Sequence, residues 1–387
     1  MKGHKLTIIL LFLALILIYA FSSQGTTQFD YFTRLADSFI QGKYWIEEAP
    51  SWLTELIPAG TNKFYVVYPP MPAIVSILPR LIFKNFFEQQ FLAHIMGAGI
   101  AVTFYLLTLK LTNSFKKAIW IYLLVGLGNI IWFLSAVGSS WYLGQISAAF
   151  FLTLALYNAL TKRQPFIIGL FLGAAYLSRL HTILSIPFFL YILYQKNWFS
   201  NYFKLGLGIL PFILFNFIYN YLRFGTVLDQ AYFILPMVLN EQNAPWFING
   251  VANPIYIPNN LKAMFWSFPK RVDYFPYILP SWAGLSIWIT TPAFIYAFFS
   301  NLRERIVRYS YIAILLIFLI VASHGGTGWA QFGYRFAVDF YPFLIFLVIK
   351  GISNKDLSWH HWFLLIISIL VNLWGVLWIN KFGWVTF

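Results

Sequence analysis

Apolar residues dominate the chain in long runs that short polar stretches separate. The first run covers residues 6–21, and others follow to the end of the sequence. A run of about 18 or more apolar residues is long enough to cross a bilayer as a helix. The later runs lie near residues 91–109, 118–137, 146–160, 166–177, 183–194, 205–222, 282–299, 311–322, 336–349 and 362–379. The pattern predicts an all-α polytopic membrane protein with about 11 transmembrane helices in a single domain, residues 1–387.

A different pattern follows the first run and predicts an amphipathic helix over residues 28–42. Apolar side chains recur there at the spacing of one helix face, at Phe29, Phe32, Leu35, Phe39 and Ile40. Such a helix lies in the membrane interface instead of crossing it. It would hold Asp30 at the mouth of whatever the later helices enclose.

Two long polar regions interrupt the apolar runs, residues 22–90 and residues 223–281. The first contains the interfacial helix and then a proline-rich apolar stretch, residues 68–83. Proline inside a helix removes a hydrogen bond and clashes with the preceding turn. This stretch is therefore predicted to form a short or re-entrant helix.

Composition and charge support a membrane protein and fix its expected orientation. The chain is 60% hydrophobic and 10% charged, with a mean hydropathy of +0.71. Its net charge of +14 comes from Lys and Arg in short loops, as the positive-inside rule expects, and does not indicate a nucleic-acid partner. The sequence predicts a multi-pass plasma-membrane protein with a cytoplasmic N-terminus, starting at Lys2 and Lys5. Both long polar regions would then lie outside, as would any active site.

The sequence after the first apolar run and the absence of cysteine limit the possible processing and chemistry of the protein. The first apolar run is not followed by an A-x-A cleavage site, so an uncleaved first helix is favoured over a signal peptide. Cysteine is absent, which excludes disulfides, a thiol nucleophile and thiolate metal ligands.

Asp30 is the first acid of the chain and has two interpretations. Thr27 and Asp30 fit the capping-box pattern, in which the carboxylate bonds only to backbone amides at the helix start. Alternatively, a carboxylate at a membrane–water boundary can take a proton from an acceptor hydroxyl as a general base. Spacing alone does not decide between the two.

Arginine on short outer turns is uncommon under the positive-inside rule, so Arg179 and Arg335 are informative. A guanidinium group can bond two oxygens of a lipid phosphate, and His181 and His324 lie close to these arginines in the sequence. The alternatives are an intrahelical bridge from Arg335 to Asp339, a lipid-headgroup anchor at Arg179, and structural histidines.

Further polar and aromatic side chains are candidates for a sugar or acceptor pocket. Trp141 and Tyr142 could stack on a sugar, although an interfacial aromatic belt explains them equally well. The pocket candidates are Tyr31, Arg34, Tyr68, Tyr142, Gln145, Arg223, Gln331 and Asp339.

An ordered series of short motifs resembles the GT-C superfamily of membrane glycosyltransferases. The motifs are F-D-Y-x-x-x-L-A-x-x-x-x-x-G at residues 29–42, Y-P-P-x-P at 68–72, W-Y-x-G-Q-I at 141–146, S-R at 178–179, N-Y-x-R-F-G at 220–225 and Q-F-G-Y-R-F-x-x-D-F-x-P at 331–342. They are most similar to the set related to protein mannosyltransferases and aminoarabinose transferases. The resemblance spans nearly the whole chain, and it is the order of the motifs that carries it.

The resemblance implies an inverting transfer of a sugar from a polyprenyl-phosphate carrier to a lipid, glycan or protein acceptor outside the cell. Asp30 stands where the family has its catalytic acid, and Arg335 and Arg179 fit the donor phosphate. Family usage favours a hexose such as mannose or glucose. The family often has a second acid where Tyr31 stands, so no cofactor is assigned and a divalent metal stays open.

These interpretations require Asp30 and the arginines to converge beside the outer leaflet. Two other functions use the same features. A transporter or flippase of a lipid-linked sugar needs the pocket and arginines but not Asp30, and a non-catalytic cell-envelope subunit needs neither.

Overall fold

A computed structural model of the protein describes residues 2–385, with side chains from residue 5 onward. The side chain of Lys2, used above for orientation, therefore lies outside the described part. Sixteen α-helices follow one another along this part: α1 Lys2–Phe21, α2 Tyr31–Ile40, α3 Met71–Phe83, α4 Gln89–Thr112, α5 Phe115–Gly126, α6 Ile131–Val137, α7 Ser140–Thr161, α8 Pro165–Ser178, α9 Ile186–Leu193, α10 Trp198–Phe224, α11 Ala231–Val238, α12 Ile257–Trp266, α13 Ile287–Thr290, α14 Arg305–Ala322, α15 Tyr341–Ile352 and α16 Trp359–Gly375.

Shorter elements connect these helices. The 3₁₀ segments are Lys84–Phe86, Leu180–Ser185, Pro254–Tyr256, Pro292–Phe299 and Arg335–Phe340, and a π-helical turn covers Val376–Lys381. Two small antiparallel hairpins pair β1 Leu56–Pro58 with β2 Phe64–Val66, and β3 Lys270–Arg271 with β4 Ile278–Leu279. The predicted all-α membrane architecture is confirmed.

Within residues 2–385, five helices are long and apolar enough to cross a membrane, namely α4, α7, α10, α14 and α16 with the turn after it. The pair α5 and α6, bent by 51°, would make a sixth. Other predicted spans are divided into shorter apolar helices, among them Lys5–Phe21, Pro165–Ser178 and Leu180–Leu193. Proline accounts for part of this division, because it begins the helical segments Pro165–Ser178 and Pro292–Phe299.

The five long helices fall into a central and a peripheral group. In α4 and α7, 78% and 72% of an 18-residue apolar stretch of the helix is buried inside the protein. In α10, α14 and α16 the buried share of that stretch is 33% each. The central helices pack on each other, and α7 also packs on α8. The outward faces of the peripheral helices remain apolar, with Leu214, Ile218 and Leu315 exposed. Exposed apolar faces of this kind suit a lipid environment.

The predicted amphipathic helix exists, but it begins three residues later than expected, at Tyr31. The preceding segment is tied to other helices instead. The Phe29 carbonyl accepts hydrogen bonds from the Ser140 hydroxyl (2.8 Å) and from Gln89 Nε2 (3.1 Å). Since this carbonyl is used at the starts of α4 and α7, the chain turns helical only after Asp30.

The capping box at Thr27 and Asp30 does not form. Asp30 is the N-cap residue of α2, and its side chain makes no cap hydrogen bond. Its Oδ1 accepts from Arg34 Nε at 2.8 Å, one turn further along. The purely structural interpretation of this carboxylate as a backbone cap is therefore wrong.

The proline-rich stretch forms α3, which has 13 residues and contains Pro79. At 1.5 Å per residue it reaches about 20 Å, less than the hydrocarbon thickness of a bilayer. Arg80 of α3 bonds both carboxylate oxygens of Asp37 on α2, at 2.7 and 2.6 Å. This fork holds α2 and α3 together and fixes the wall on which Asp30 lies.

Candidate functional site

Three basic residues far apart in the sequence assemble around one aromatic ring, and a fourth joins them through a shared acid. The guanidinium carbons of Arg335 and Arg179 lie 5.1 and 5.7 Å from the centre of the Phe336 ring, and the His324 ring lies 5.3 Å from it. His181 joins them through Asp339, to which Arg179 also bonds. We call this group, Arg179, His181, His324, Arg335, Phe336 and Asp339, the Phe336 cluster. It contains all four residues that the sequence suggested for a donor phosphate.

Asp339 is the buried acid of the Phe336 cluster, with 0% exposure. Its Oδ2 accepts from His181 Nε2 at 2.8 Å and from Arg179 Nη2 and Nε at 3.1 and 3.2 Å. The suggested Arg335–Asp339 bridge is not formed, because residues 335–340 are a 3₁₀ helix. In that geometry positions i and i+3 eclipse, and a residue four places on does not share the face.

Arg335 is 9% exposed and has a different set of partners. Its Nε and Nη2 both donate to the carbonyl of Gly328, at 3.0 and 2.8 Å. Within residues 2–385, no carboxylate oxygen lies within 4 Å of its nitrogen atoms. Gly328 has a φ of +94°, and a Cβ there would lie 3.0 Å from Arg335 Nε. Glycine is therefore required both for the turn and for this close approach.

Three candidates from the sequence hold Arg335 in place. The Tyr142 ring lies 5.5 Å from its guanidinium carbon, and the Tyr142 hydroxyl donates to the Ala330 carbonyl at 2.9 Å. Gln145 Nε2 donates to the Arg335 carbonyl at 3.1 Å. Gln331 accepts from the Arg335 backbone N–H at 3.3 Å. These contacts orient the arginine, and none of them is an ion pair. We call its charge unbalanced because no carboxylate of the described residues pairs with it directly; Glu55 acts on it only from a longer distance.

His324 is neutral at physiological pH in this setting. The pKa of its imidazole is lowered to about 4, mainly by burial and to a smaller extent by the positive charges of Arg179, Arg335 and His181, against the opposing effect of its bond to Gly326. Its Nδ1 pairs with the backbone of Gly326. His324 can thus offer a neutral hydrogen bond beside the arginines without adding charge.

Asp30 lies in a separate polar cavity of about 290 Å³. Its carboxylate is 26% exposed and pairs with Arg34, which also reaches Glu48 at 3.5 Å. The lining of this Asp30 cavity consists of Thr26, Thr27, Asp30, Thr33, Arg34, Asp37, Arg80, Asn85, Glu88, Gln89 and Gln90. Neither Arg179 nor Arg335 is among them. The expected convergence of Asp30 and the arginines in one cavity is therefore not observed: the basic residues come together, and Asp30 lies in a separate cavity.

One corner connects the Asp30 cavity with the Phe336 cluster. The rings of Phe29 and Trp141 are 4.6 Å apart, and Trp141 adjoins Tyr142 in α7. Tyr31, next to Asp30, accepts from the backbone N–H of Glu55 at 3.1 Å. The two neighbours of Asp30 therefore contact Trp141 and Glu55, Phe29 through its ring and Tyr31 through its hydroxyl. Trp141 in turn is next to Tyr142, whose ring lies against Arg335.

Glu55 is the functional candidate that sequence reasoning missed. Its Oε2 accepts from Trp141 Nε1 at 2.9 Å. Burial raises the pKa of its carboxyl, the Trp141 N–H and the Arg335 guanidinium oppose the rise, and Glu241 adds to it. The only sequence signal was an acid between the apolar Leu53 and Leu56 in a polar loop.

The remaining candidates, Tyr68 and Arg223, make contacts that stabilise the fold. Tyr68 packs edge-on against the Tyr31 ring at 5.2 Å. Arg223 donates to the Val66 carbonyl at 2.8 Å and to Asn220 at 2.6 Å, which attaches the β1–β2 hairpin to α10. No group of three or more His, Cys, Asp or Glu in the described residues is placed to hold a metal ion.

Comparison with known proteins places the fold. No protein-family model matches the chain, and no curated protein matches its sequence. Among solved structures, the chain is similar to ArnT from Cupriavidus metallidurans bound to undecaprenyl phosphate, with a TM-score of 0.57 and 11% identity over 96% of this chain. The apo form of the same protein aligns with a TM-score of 0.49 and 12% identity.

The alignment with the lipid-bound ArnT covers 63% of the length of that protein. It shows that the chain has a membrane fold like that of ArnT, over 96% of its length. At this level of identity the likeness establishes the fold, and the function has to be argued from the site.

Proposed function

We propose that the protein transfers a sugar, with a hexose such as mannose or glucose favoured, from a polyprenyl-phosphate carrier to an acceptor hydroxyl at the outer face of the plasma membrane. The observation that carries the proposal is the buried, unbalanced guanidinium of Arg335 beside the already paired Arg179. A buried positive charge is costly unless something negative approaches it. A lipid phosphate matches this position in charge and shape.

The surroundings of Arg335 suit a phosphate better than a carboxylate from the protein itself. Arg179 shares Asp339 with His181, so the cluster retains positive charge while staying ordered. Similarity to a protein that binds undecaprenyl phosphate supports a polyprenyl carrier. The orientation follows from the distribution of Lys and Arg, which puts this cluster on the outer side.

The reaction is written with Asp30 as general base. The Asp30 carboxylate takes the proton from the acceptor hydroxyl, and that oxygen forms a bond to the anomeric carbon from the face opposite the phosphate. The bond from this carbon to the phosphate oxygen breaks, and its electron pair leaves with the polyprenyl phosphate. Arg335 and Arg179 stabilise the charge that develops on the departing phosphate. The configuration at the anomeric carbon is inverted.

The Asp30 cavity suits the acceptor side of this reaction. Its lining is polar and its carboxylate is reachable from water. Phe29, which precedes Asp30, packs on Trp141, and Trp141 in turn bonds Glu55 and precedes Tyr142, which contacts Arg335. An acceptor entering here meets the donor at these residues, with its hydroxyl on the side of Asp30.

Asp30→Asn tests the base. We expect a fall in kcat of about 10²- to 10⁴-fold, the usual contribution of general base catalysis, with donor binding retained. The assay follows labelled sugar from undecaprenyl-phosphate mannose, glucose or aminoarabinose into acceptors of cell-envelope membranes that lack the native protein.

Glu47→Gln is the control, because Glu47 is not part of the lining of the Asp30 cavity and its exposed carboxylate pairs with Lys43. It should keep transfer close to wild type. Asp30→Asn protein with transfer within about tenfold of wild type would remove Asp30 from the chemistry. Wild-type protein that binds the donor and never transfers the sugar would instead point to a transporter or flippase.

A further inference from the structure

Two glutamates from different outer regions are held in the same way by tryptophan. Glu55 Oε2 accepts from Trp141 Nε1 at 2.9 Å, and Glu241 Oε2 accepts from Trp246 Nε1 at 2.8 Å. Glu55 belongs to residues 22–90 and Glu241 to residues 223–281. Burial is the main cause that raises the pKa of the Glu55 carboxyl, and the negative charge of Glu241 adds to it. The fold has therefore brought together two acids whose orientation an indole N–H fixes.

Both Glu–Trp pairs adjoin Arg335. Trp141 precedes Tyr142, whose ring lies against the Arg335 guanidinium at 5.5 Å. The Trp246 ring lies 4.7 Å from the ring of Trp329, the residue after Gly328, to which Arg335 donates. Glu55 also interacts electrostatically with Arg335. Each Glu–Trp pair is thus connected to a contact of Arg335, one through Tyr142 and the other through the segment that contains Gly328 and Trp329.

A phosphate at Arg335 would be repelled by Glu55, so this carboxylate is not a phosphate ligand. It can accept hydrogen bonds from hydroxyl groups, and bonds to an ionised acceptor are about twice as strong as neutral ones. The nearby aromatic rings offer flat apolar faces with a polar edge. Carboxylate oxygens beside such rings suit a sugar, which has both hydroxyl groups and an apolar C–H face.

The carboxylate has a use beyond orienting Trp141. A neutral carbonyl would satisfy the indole N–H without the cost of placing a charge in partly buried surroundings. The backbone N–H of Glu55 bonds to the Tyr31 hydroxyl at 3.1 Å, so the residue is held at both ends. Its second oxygen, Oε1, makes no hydrogen bond to residues 2–385. One oxygen of a rigid carboxylate therefore remains to bind a hydroxyl group.

We propose that Glu55 binds hydroxyl groups of the sugar on the donor and thereby determines which sugar the protein accepts. The inference rests on the proposed function, since a sugar bonded directly to a phosphate at Arg335 has to lie among the side chains around that arginine. Glu241 bounds the same space from the second outer region. Asp30 keeps its role on the acceptor side.

The test compares binding of undecaprenyl phosphate with binding of undecaprenyl phosphate bearing mannose, glucose or aminoarabinose, using full-length protein in lipid nanodiscs. In wild-type protein one sugar-bearing donor should bind more tightly than the bare lipid phosphate. Glu55→Gln should weaken binding of that donor by about tenfold to a hundredfold, as expected for losing hydrogen bonds to a charged group. Binding of undecaprenyl phosphate alone should not change.

Glu47→Gln is the matched control, because the exposed Glu47 lies in the same loop and pairs with Lys43. Trp141→Phe is a second variant that keeps the ring and removes the N–H that orients Glu55. It should reproduce the loss for the sugar-bearing donor, with a smaller size. Glutamine retains an oxygen that can accept from Trp141, so Glu55→Gln should fold.

Three results would overturn the inference. Glu55→Gln could leave the preference for the sugar-bearing donor intact, could weaken the bare lipid phosphate equally, or could lower kcat with donor affinity unchanged. A lower kcat with unchanged donor affinity would indicate that Glu55 takes the proton from the acceptor instead of binding the donor sugar. The proposed function fails differently, if wild-type protein binds neither undecaprenyl phosphate nor any of its sugar derivatives.

Discussion

The Asp30 cavity and the Phe336 cluster contain the same kinds of charged group and differ in what balances them. In the Asp30 cavity each arginine has an acid of its own, Arg34 with Asp30 and Arg80 with Asp37, and the acids are 26% and 38% exposed. In the Phe336 cluster the acid is fully buried, and it serves Arg179 and His181 but not Arg335.

This difference assigns different tasks to the two regions. A balanced carboxylate in contact with water can exchange a proton without a large change in local charge. An unbalanced buried guanidinium favours an anion, and the surrounding low dielectric strengthens that attraction. We therefore associate proton transfer with the Asp30 cavity and phosphate binding with the Phe336 cluster. Three substitutions test the comparison.

Removing the unbalanced charge should have the largest effect. Arg335→Ala is expected to lower transfer about 10²- to 10³-fold, the usual cost of losing one group that stabilises developing negative charge. It should also weaken binding of undecaprenyl phosphate. Arg335→Lys, which keeps the charge but not the planar fork, should lie between Ala and wild type. The measurement is labelled-sugar transfer together with lipid-phosphate binding in nanodiscs.

Arg271→Ala is the control for Arg335→Ala, because Arg271 is exposed on the β3–β4 hairpin. It should leave transfer and binding unchanged. If Arg335→Ala bound undecaprenyl phosphate as tightly as wild type, the phosphate would have to lie elsewhere, and the assignment of the Phe336 cluster would be wrong.

Removing the buried acid should mainly affect stability. Asp339→Asn leaves Arg179, which is 19% exposed, without its counter-charge, and breaking a buried pair typically costs about 3–5 kcal/mol. Asp37→Asn breaks a pair whose acid is 38% exposed, and such pairs contribute about 0–1 kcal/mol. Thermal unfolding in detergent should show a clearly larger loss for Asp339→Asn. Equal losses would mean that Arg179 is solvated and that the cluster is less enclosed than its geometry indicates.

Releasing Asp30 from its partner should have the smallest effect. Arg34→Gln removes a partly exposed i,i+4 pair, so the change in stability should stay below about 1 kcal/mol. Transfer should change by less than about fivefold, since the carboxylate itself remains. A loss as large as that of Asp30→Asn would show that Arg34, and not Asp30 alone, takes part in the reaction.

Local pattern was sufficient for the elements that depend on neighbouring residues. The apolar runs predicted a helical membrane protein, and the spacing from Phe29 to Ile40 predicted the amphipathic α2. The prolines in residues 68–83 predicted a short helix, as found in α3. In each case the property is carried by side chains within one or two turns, so the sequence determines it directly.

Pairing between distant residues was not predictable in the same way. The pattern suggested that Arg335 pairs with Asp339 four positions later, whereas Asp339 bonds Arg179 and His181, about 160 positions earlier. A local rule assumes an α-helix, and the segment is a 3₁₀ helix. Likewise, nothing near Glu55 in the sequence indicates its bond to Trp141, 86 positions away.

By itself the sequence determined the class of protein, its helices, and the short set of acids and outer basic residues from which a site could be built. Only the tertiary structure decided which of them meet: the four basic residues near Phe336 and Asp339, Glu55 beside Arg335, and Asp30 in a neighbouring cavity. The physical reason is that hydrophobic periodicity acts over a few residues. The partner of a buried charge is set by which helices pack together, and that depends on the whole chain.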